Sequence, residues 1–147
     1  MQRHKKSIPI ALTILLCLGI YGLLKPVRVN DSAVAATDIY VVDGDTLRHD
    51  DELIRLDGFN TPEIQFAECD YERQAGRAAK ERLRELIDQA ANVQLDIKLK
   101  RDGDPVRDKY RRLIAVLILD NQNISEIMVS EGYAEIYDGG TRRNWCN

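Results

Sequence analysis

The hydrophobic and polar positions of this chain fall into segments of contrasting period. Uncharged residues run unbroken from Ser7 to Leu24, behind Arg3-His4-Lys5-Lys6. From Ile39 to Val42 a β-prone run ends at Asp43-Gly44, a turn signal, and Thr46-Leu47-Arg48 resumes an extended pattern. Asp50-Asp51-Glu52 reads as a second turn, and Leu53-Ile54-Arg55-Leu56 as a strand that ends by Gly58. The period then changes. Ala75, Ala79, Leu83, Leu86 and Ala90 recur every three or four residues, which predicts a helix over 72–90 with that stripe inward. Val93, Leu95, Ile97 and Leu99 alternate with polar residues, as a half-buried strand does. Lys100 to Arg112 is dense in charge and broken by Gly103 and Pro105, an exposed loop. Leu113 to Leu119 is a buried strand, Asp120-Asn121 a turn, 123–131 a short helix with Ile124, Ile127 and Met128 inward, and Tyr133 to Tyr137 a brief extended segment. Five strands of this length leave edges exposed unless they curl. The order therefore predicts a mostly β domain with helices packed on a small curled barrel.

The apolar run at the start is not part of that barrel. A basic cluster before 18 uncharged residues is a membrane-targeting pattern, at the short end of what spans a bilayer. Residues 1–24 are thus expected to be an anchor or signal segment, 25–36 a linker, and 37–147 the folded domain. Ala33-Val34-Ala35 offers a small-x-small cleavage site, but it lies beyond the apolar run, so an uncleaved anchor is preferred over a cleaved signal. Leu15 and Leu16 before Cys17 are too bulky for lipoprotein processing. The basic flank favours an N-terminus inside and a domain outside the inner membrane.

Cysteine usage agrees with export. Outside the apolar run only Cys69 and Cys146 occur, and an even pair in an exported chain reads as one disulfide. Two cysteines and His49 are too few soft ligands for zinc. Charge is unevenly spread: residues 31–147 carry 24 acidic against 16 basic groups, and residues 1–30 carry five basic and no acidic ones. An acidic domain argues against tight non-specific nucleic-acid binding, but not against a small focused positive mouth.

Candidate chemistry concentrates between Ile39 and Glu63. Asp43, Asp45, Asn60 and Glu63 are oxygen ligands suited to a hard cation such as Ca²⁺. Glu63 could deprotonate or orient a water, and Arg55 with Arg112 could clamp a phosphate from two sides. Asp-Gly and Asn-Thr-Pro are also ordinary turn residues, which is the plainer explanation of the same letters. Asn123-Ile124-Ser125 matches a short, common glycosylation triplet.

Three motifs in order carry a resemblance: Asp43-Gly44-Asp45-Thr46; Ile54-Arg55-Leu56 leading into Thr61-Pro62-Glu63; and Asp108-Lys109-Tyr110 followed by Arg112. Together they resemble the staphylococcal (micrococcal) nuclease family across roughly residues 39–137. Cys69 and the closing Trp145-Cys146 resemble an exported bacterial subgroup. The resemblance implies an OB-type five-stranded barrel and Ca²⁺-dependent hydrolysis of phosphodiester bonds in DNA or RNA. It implies Asp45, Asn60 and the Thr61 carbonyl as metal ligands, Arg55, Glu63 and Arg112 as catalytic residues, and Tyr110 and Tyr137 as substrate-binding residues.

Two positions depart from the family pattern. Asn60 stands where a second ligating aspartate is expected, so the ion loses a charged ligand and is held more weakly. Arg111 stands where the family usually has glycine. If that glycine serves a positive φ, arginine strains the turn; if not, it adds positive charge near the substrate. The favoured expectation is a calcium-dependent nuclease weakened by Asn60, acting on single-stranded DNA or RNA. The alternative is a catalytically silent nuclease-like domain that binds nucleic acid or protein.

Overall fold

A computed structural model describes residues 33–146. Eleven elements matter here: β1 (Ala33–Val34), β2 (Tyr40–Asp43), β3 (Thr46–His49), β4 (Glu52–Leu56), β5 (Phe59–Asn60), α1 (Asp70–Gln89), β6 (Val93–Ile97), β7 (Leu113–Leu119), β8 (Gln122–Asn123), α2 (Ile124–Ser130) and β9 (Glu135–Ile136). The main sheet runs β1-β6-β7-β4-β3-β2, with β8 paired to β7, and β5 pairs with β9 in a second, two-stranded sheet. The architecture is a mixed fold built on a curled, open sheet of OB type with two helices. Its five longer strands, β2, β3, β4, β6 and β7, fall on the β-prone, alternating and continuous apolar runs of the sequence.

The hairpins follow from local chemistry. Asp50 and Asp51 between β3 and β4, and Asp120 and Asn121 between β7 and β8, all take positive φ. Such two-residue turns match the strand twist, and Asp and Asn tolerate that region better than other side chains. Meander pairs are antiparallel, with Leu47 opposite Ile54. One pairing is parallel: β4 lies beside β7, with Ile54 opposite Leu113. It brings the start of β7 next to a strand far away in sequence.

Leu47, Ile54, Leu56 and Phe59 from the meander meet Leu83 and Ile87 of α1, Leu117 of β7, and Ile124 and Met128 of α2 in one buried core. The helix begins two residues earlier than the periodicity predicts, because the Cys69 sulfur caps it by accepting from the Glu72 amide. Its buried face is Glu72, Gly76, Ala79, Leu83 and Ile87. Leu86 and Ala90, expected inward, only border the core. In α2, Asn123 Oδ1 accepts from the Ser125 amide, so the glycosylation triplet is an N-cap.

Three stretches differ from the sequence reading. Ala33–Val34 falls within the expected linker yet pairs with Val93 and Gln94, adding an edge strand to β6. Phe59–Asn60, read as a turn, is β5, and Asn60 lies opposite Glu135. The charged 100–112 segment is exposed but anchored by bridges from Leu99 to Pro105 and Arg107 to Leu113. None of these carries an alternation long enough to register as a pattern. Among the described residues no helix is long and apolar enough to cross a membrane. The expected anchor over 1–24 lies outside the described residues.

Cys69 and Cys146 form a disulfide across a separation of 77 residues. The bond ties the start of α1 to the segment after β9. Replacing both cysteines by serine should lower the unfolding free energy by about 4 kcal/mol, the loop-entropy value for such a closure. Urea unfolding of the double variant beside the oxidised wild type measures it; equal midpoints would show that the crosslink adds nothing to stability.

Candidate functional site

The β-sheet register assembles the site. Arg55 of β4 lies opposite Thr46 of β3, and the parallel pairing places Ile114 opposite Arg55. Arg112, just ahead of β7, therefore reaches the same end of the sheet. Segment 60–63 is fixed from two sides by glycines. A Cβ on Gly44 would sit 2.8 Å from Thr61 Oγ1, and one on Gly76 would sit 2.7 Å from the Pro62 carbonyl oxygen and 2.9 Å from that of Glu63. Helix α1 thus lies directly on the backbone that carries Glu63.

Asp45, Arg55, Asn60 and Thr61 are all buried and bonded to one another. Asp45 Oδ1 accepts from Thr46 Oγ1 at 2.9 Å, and Oδ2 accepts from the Thr61 amide at 3.3 Å. Arg55 Nη2 is 3.1 Å from Asp45 Oδ2. The same guanidinium donates to the Leu56 carbonyl, to the Phe59 carbonyl at 2.8 Å and to Asn60 Oδ1 at 3.4 Å. Burial pulls the Arg55 pKa down, Asp45 offsets this, and the positive charges of Arg112 and Arg142 add to the lowering. Asn60 Nδ2 in turn donates to Glu135 Oε1 at 3.4 Å. Arg55 is thus a structural hub as well as a cation.

Arg112 is held by one carboxylate. Its Nε donates to Asp108 Oδ2 at 2.8 Å, its amide donates to Asp108 Oδ1 at 2.9 Å, and Nη1 donates to Thr46 Oγ1 at 3.2 Å. Partial burial opposes ionisation of Asp108, and the hydrogen bonds from Arg112 outweigh it and hold the pKa low. The turn between them settles the question about Arg111. Its φ is +69°, the region a glycine would occupy without cost, so the arginine strains the backbone by about 1 kcal/mol. Arg107 supports this turn by donating to the Arg111 carbonyl at 2.7 Å.

Arg55, Arg112, Tyr110 and Tyr137 line one cavity of about 610 Å³, together with Lys109 and Arg142. Glu63 lies in the wall of an adjoining cavity of about 380 Å³. Arg142 lines both. Its Nη1 donates to Glu63 Oε1 at 2.6 Å, and its guanidinium stands 5.8 Å from the Tyr137 ring centroid. Glu72, buried at the start of α1, accepts from the amides of Glu63 at 3.3 Å and Glu68 at 2.7 Å, fixing the loop that bears Glu63. Sequence reading missed Arg142, Glu72 and Glu135. Only Glu72 left a trace there, as a charge on the apolar side of the helix.

The donors Asp45, Asn60 and the Thr61 carbonyl suit Ca²⁺ in kind, since all are hard oxygens. In number they are sparse. Among the described residues no three His, Cys, Asp or Glu side chains are grouped closely enough to hold a metal ion. Asp43 shows that negative charge is nonetheless concentrated here. Burial first, then the carboxylates of Asp45 and Glu63, raise its pKa to about 6, against opposing effects of the Gly44 amide and Lys80.

Two outcomes follow. Ionised Asp43 is penalised in the folded state, so its contribution to stability falls as pH rises from the ordinary value of 3.8 through about 6. In EDTA, the wild type should lose stability relative to Asp43→Asn over that interval and show no further relative change above pH 7, measured by urea midpoints. A pH-independent difference would contradict the shift. Gly76→Ala should cost about 1–3 kcal/mol by overpacking, despite the better helix propensity of alanine. An unchanged melting temperature would mean the Pro62 carbonyl can move aside.

No match is found among curated proteins. A family model described as Staphylococcal nuclease homologue matches residues 53–144. This span includes Arg55, Asn60, Thr61, Glu63, Tyr110, Arg112 and Tyr137, and begins after Asp45. With more than half of its length matched and an OB-type sheet beneath the match, the chain belongs to the staphylococcal nuclease homologue family.

Proposed function

We propose that this domain hydrolyses phosphodiester bonds in single-stranded DNA or RNA outside the cytoplasm, with a weakly held Ca²⁺. The observation that carries the reading is the placement of Arg55 and Arg112 with Tyr110 and Tyr137 around one cavity. Cations from two sides suit a phosphate, and the aromatic faces of the exposed Tyr110 and the half-buried Tyr137 suit unstacked bases. The apolar run Ser7–Leu24 and the disulfide support a bacterial inner-membrane anchor with the domain in an oxidising compartment.

In this mechanism Arg112, oriented by Asp108, and Arg55, oriented by Asp45 and backbone carbonyls, hold the non-bridging phosphate oxygens. Both guanidiniums also neutralise the charge that builds on those oxygens as phosphorus becomes five-coordinate. Glu63 takes a proton from the water that attacks phosphorus in line with the departing sugar oxygen. The P–O bond to that oxygen breaks, and solvent returns a proton to it. Asp45, Asn60 and the Thr61 carbonyl would hold Ca²⁺, which supplies further positive charge at the phosphate when bound.

A second reading, a silent domain that binds nucleic acid without cutting, is favoured by two features. Arg55 spends its hydrogen bonds on internal acceptors, and Asn60 brings no charge to the metal. Digestion of labelled single-stranded DNA and RNA by the full chain, across a Ca²⁺ titration and in EDTA, separates the two. The expected result is cleavage only at high Ca²⁺, a loss of about 10²–10⁴-fold in Glu63→Gln, and a lower Ca²⁺ requirement in Asn60→Asp. Binding with no Ca²⁺-dependent cleavage by wild type or Asn60→Asp would rule out hydrolysis and leave the silent reading.

A further inference from the structure

The second cavity shares Glu63 with the mechanism above, and the rest of its wall has no part in it. Its wall combines Glu63 and Glu72 with Arg142, Arg143, Phe66 and Trp145. Phe66 is 77% exposed, although it stands in a loop whose neighbours are tied down by Glu72. A single exposed apolar ring is ordinary on a protein surface; Phe66 stands out because it lines a concave, charged cavity beside Glu63 and Arg142 and is absent from the core. Trp145, by contrast, is buried, with the Arg143 guanidinium 4.6 Å from its ring centroid. The disulfide one residue further on pins this segment to α1. The cavity wall is therefore fixed, with one free aromatic face.

We infer that this cavity is a second nucleotide subsite, in which Arg142 binds the backbone phosphate between the two cavities and Phe66 stacks on the following base. The inference rests on the nuclease-like reading of the first cavity and extends it across Glu63. Arg142 is the only cation that lines both cavities among those described. Glu63 engages one of its terminal nitrogens, and a guanidinium offers five N–H donors, so a phosphate oxygen can be bound beside the carboxylate. Alternation of a cation and an aromatic face along a groove is how single strands are bound without base-specific contacts. Glu68 and Glu72 in the same wall disfavour a second phosphate deep in the cavity. One phosphate at its mouth and one base within is the occupancy this charge pattern allows.

Fluorescence anisotropy with labelled oligothymidylates of two to five nucleotides tests this on the full chain, in EDTA and again with Ca²⁺ on ice. Wild-type affinity should rise with length. Phe66→Ala should weaken the five-nucleotide probe by about fivefold or more and leave the dinucleotide unchanged. Arg142→Gln should reduce the slope of log affinity against log salt by about 0.7, the value of one phosphate contact on a single strand, and Arg142→Lys should restore it. If both variants match wild type at every length while Arg112→Gln binds more weakly, the subsite is wrong and the first cavity stands. If wild type binds no probe in either buffer, the nucleic-acid reading fails and this inference fails with it.

Discussion

The contact on which the rest of the site depends has no side chain on one of its two faces. At Gly76, α1 rests on the carbonyls of Pro62 and Glu63, and at Gly44 the β2–β3 turn rests on Thr61. At Gly76 the neighbour is backbone, which cannot swing aside as a long side chain can. At Gly44 it is the short, buried Thr61 side chain and the Ala79 Cβ, so both glycines hold segment 60–63 at its height above the sheet. Everything polar nearby takes its position from that height. Glu72 reaches the Glu63 amide, Asp45 reaches the Thr61 amide, and Asn60 pairs across to Glu135. A few tenths of an ångström lost at either glycine would be passed to all three.

Electrostatics then works against the overall charge. Residues 31–147 carry 24 acidic against 16 basic groups, yet Arg55, Lys109, Arg112 and Arg142 gather around one cavity. A low-dielectric wall focuses such a local field outward even when the whole body is negative. The surrounding carboxylates do the opposite job at short range. Asp45 and Asp108 each hold one arginine in place, so the cations are oriented before any substrate arrives, and less ordering remains at the moment of binding. Asp43 records what this crowding costs: its burial among neighbouring carboxylates raises its pKa to about 6.

Much of the fold was legible because long strands and an amphipathic helix leave periodic traces. Val93 and Leu95 are buried in the phase that their alternation predicts, and Leu47, Ile54 and Leu117 lie buried in the runs expected to be strands. Two-residue strands leave little such trace: the pattern assigns β1 to a linker and Asn60 to a turn, whereas β9 falls within the extended segment expected at Tyr133–Tyr137. In α1 the adjacent apolar residues Leu86 and Ile87 made the phase ambiguous, and packing chose Ile87. The site residues from Asp45 to Arg112 stood out through type and spacing. Arg142 did not, because its position comes from a tail folded back by a disulfide rather than from any local pattern. Arg111 was legible only as a question, and its φ answered it.

Cys146 follows every strand and helix described, whereas Cys69 starts α1 near the middle of the domain. The crosslink therefore closes most of the domain, and it holds the tail only where thiols can be oxidised. The chemical surroundings thus decide whether the segment bearing Arg142, and with it the wall beside Glu63, is pinned to α1.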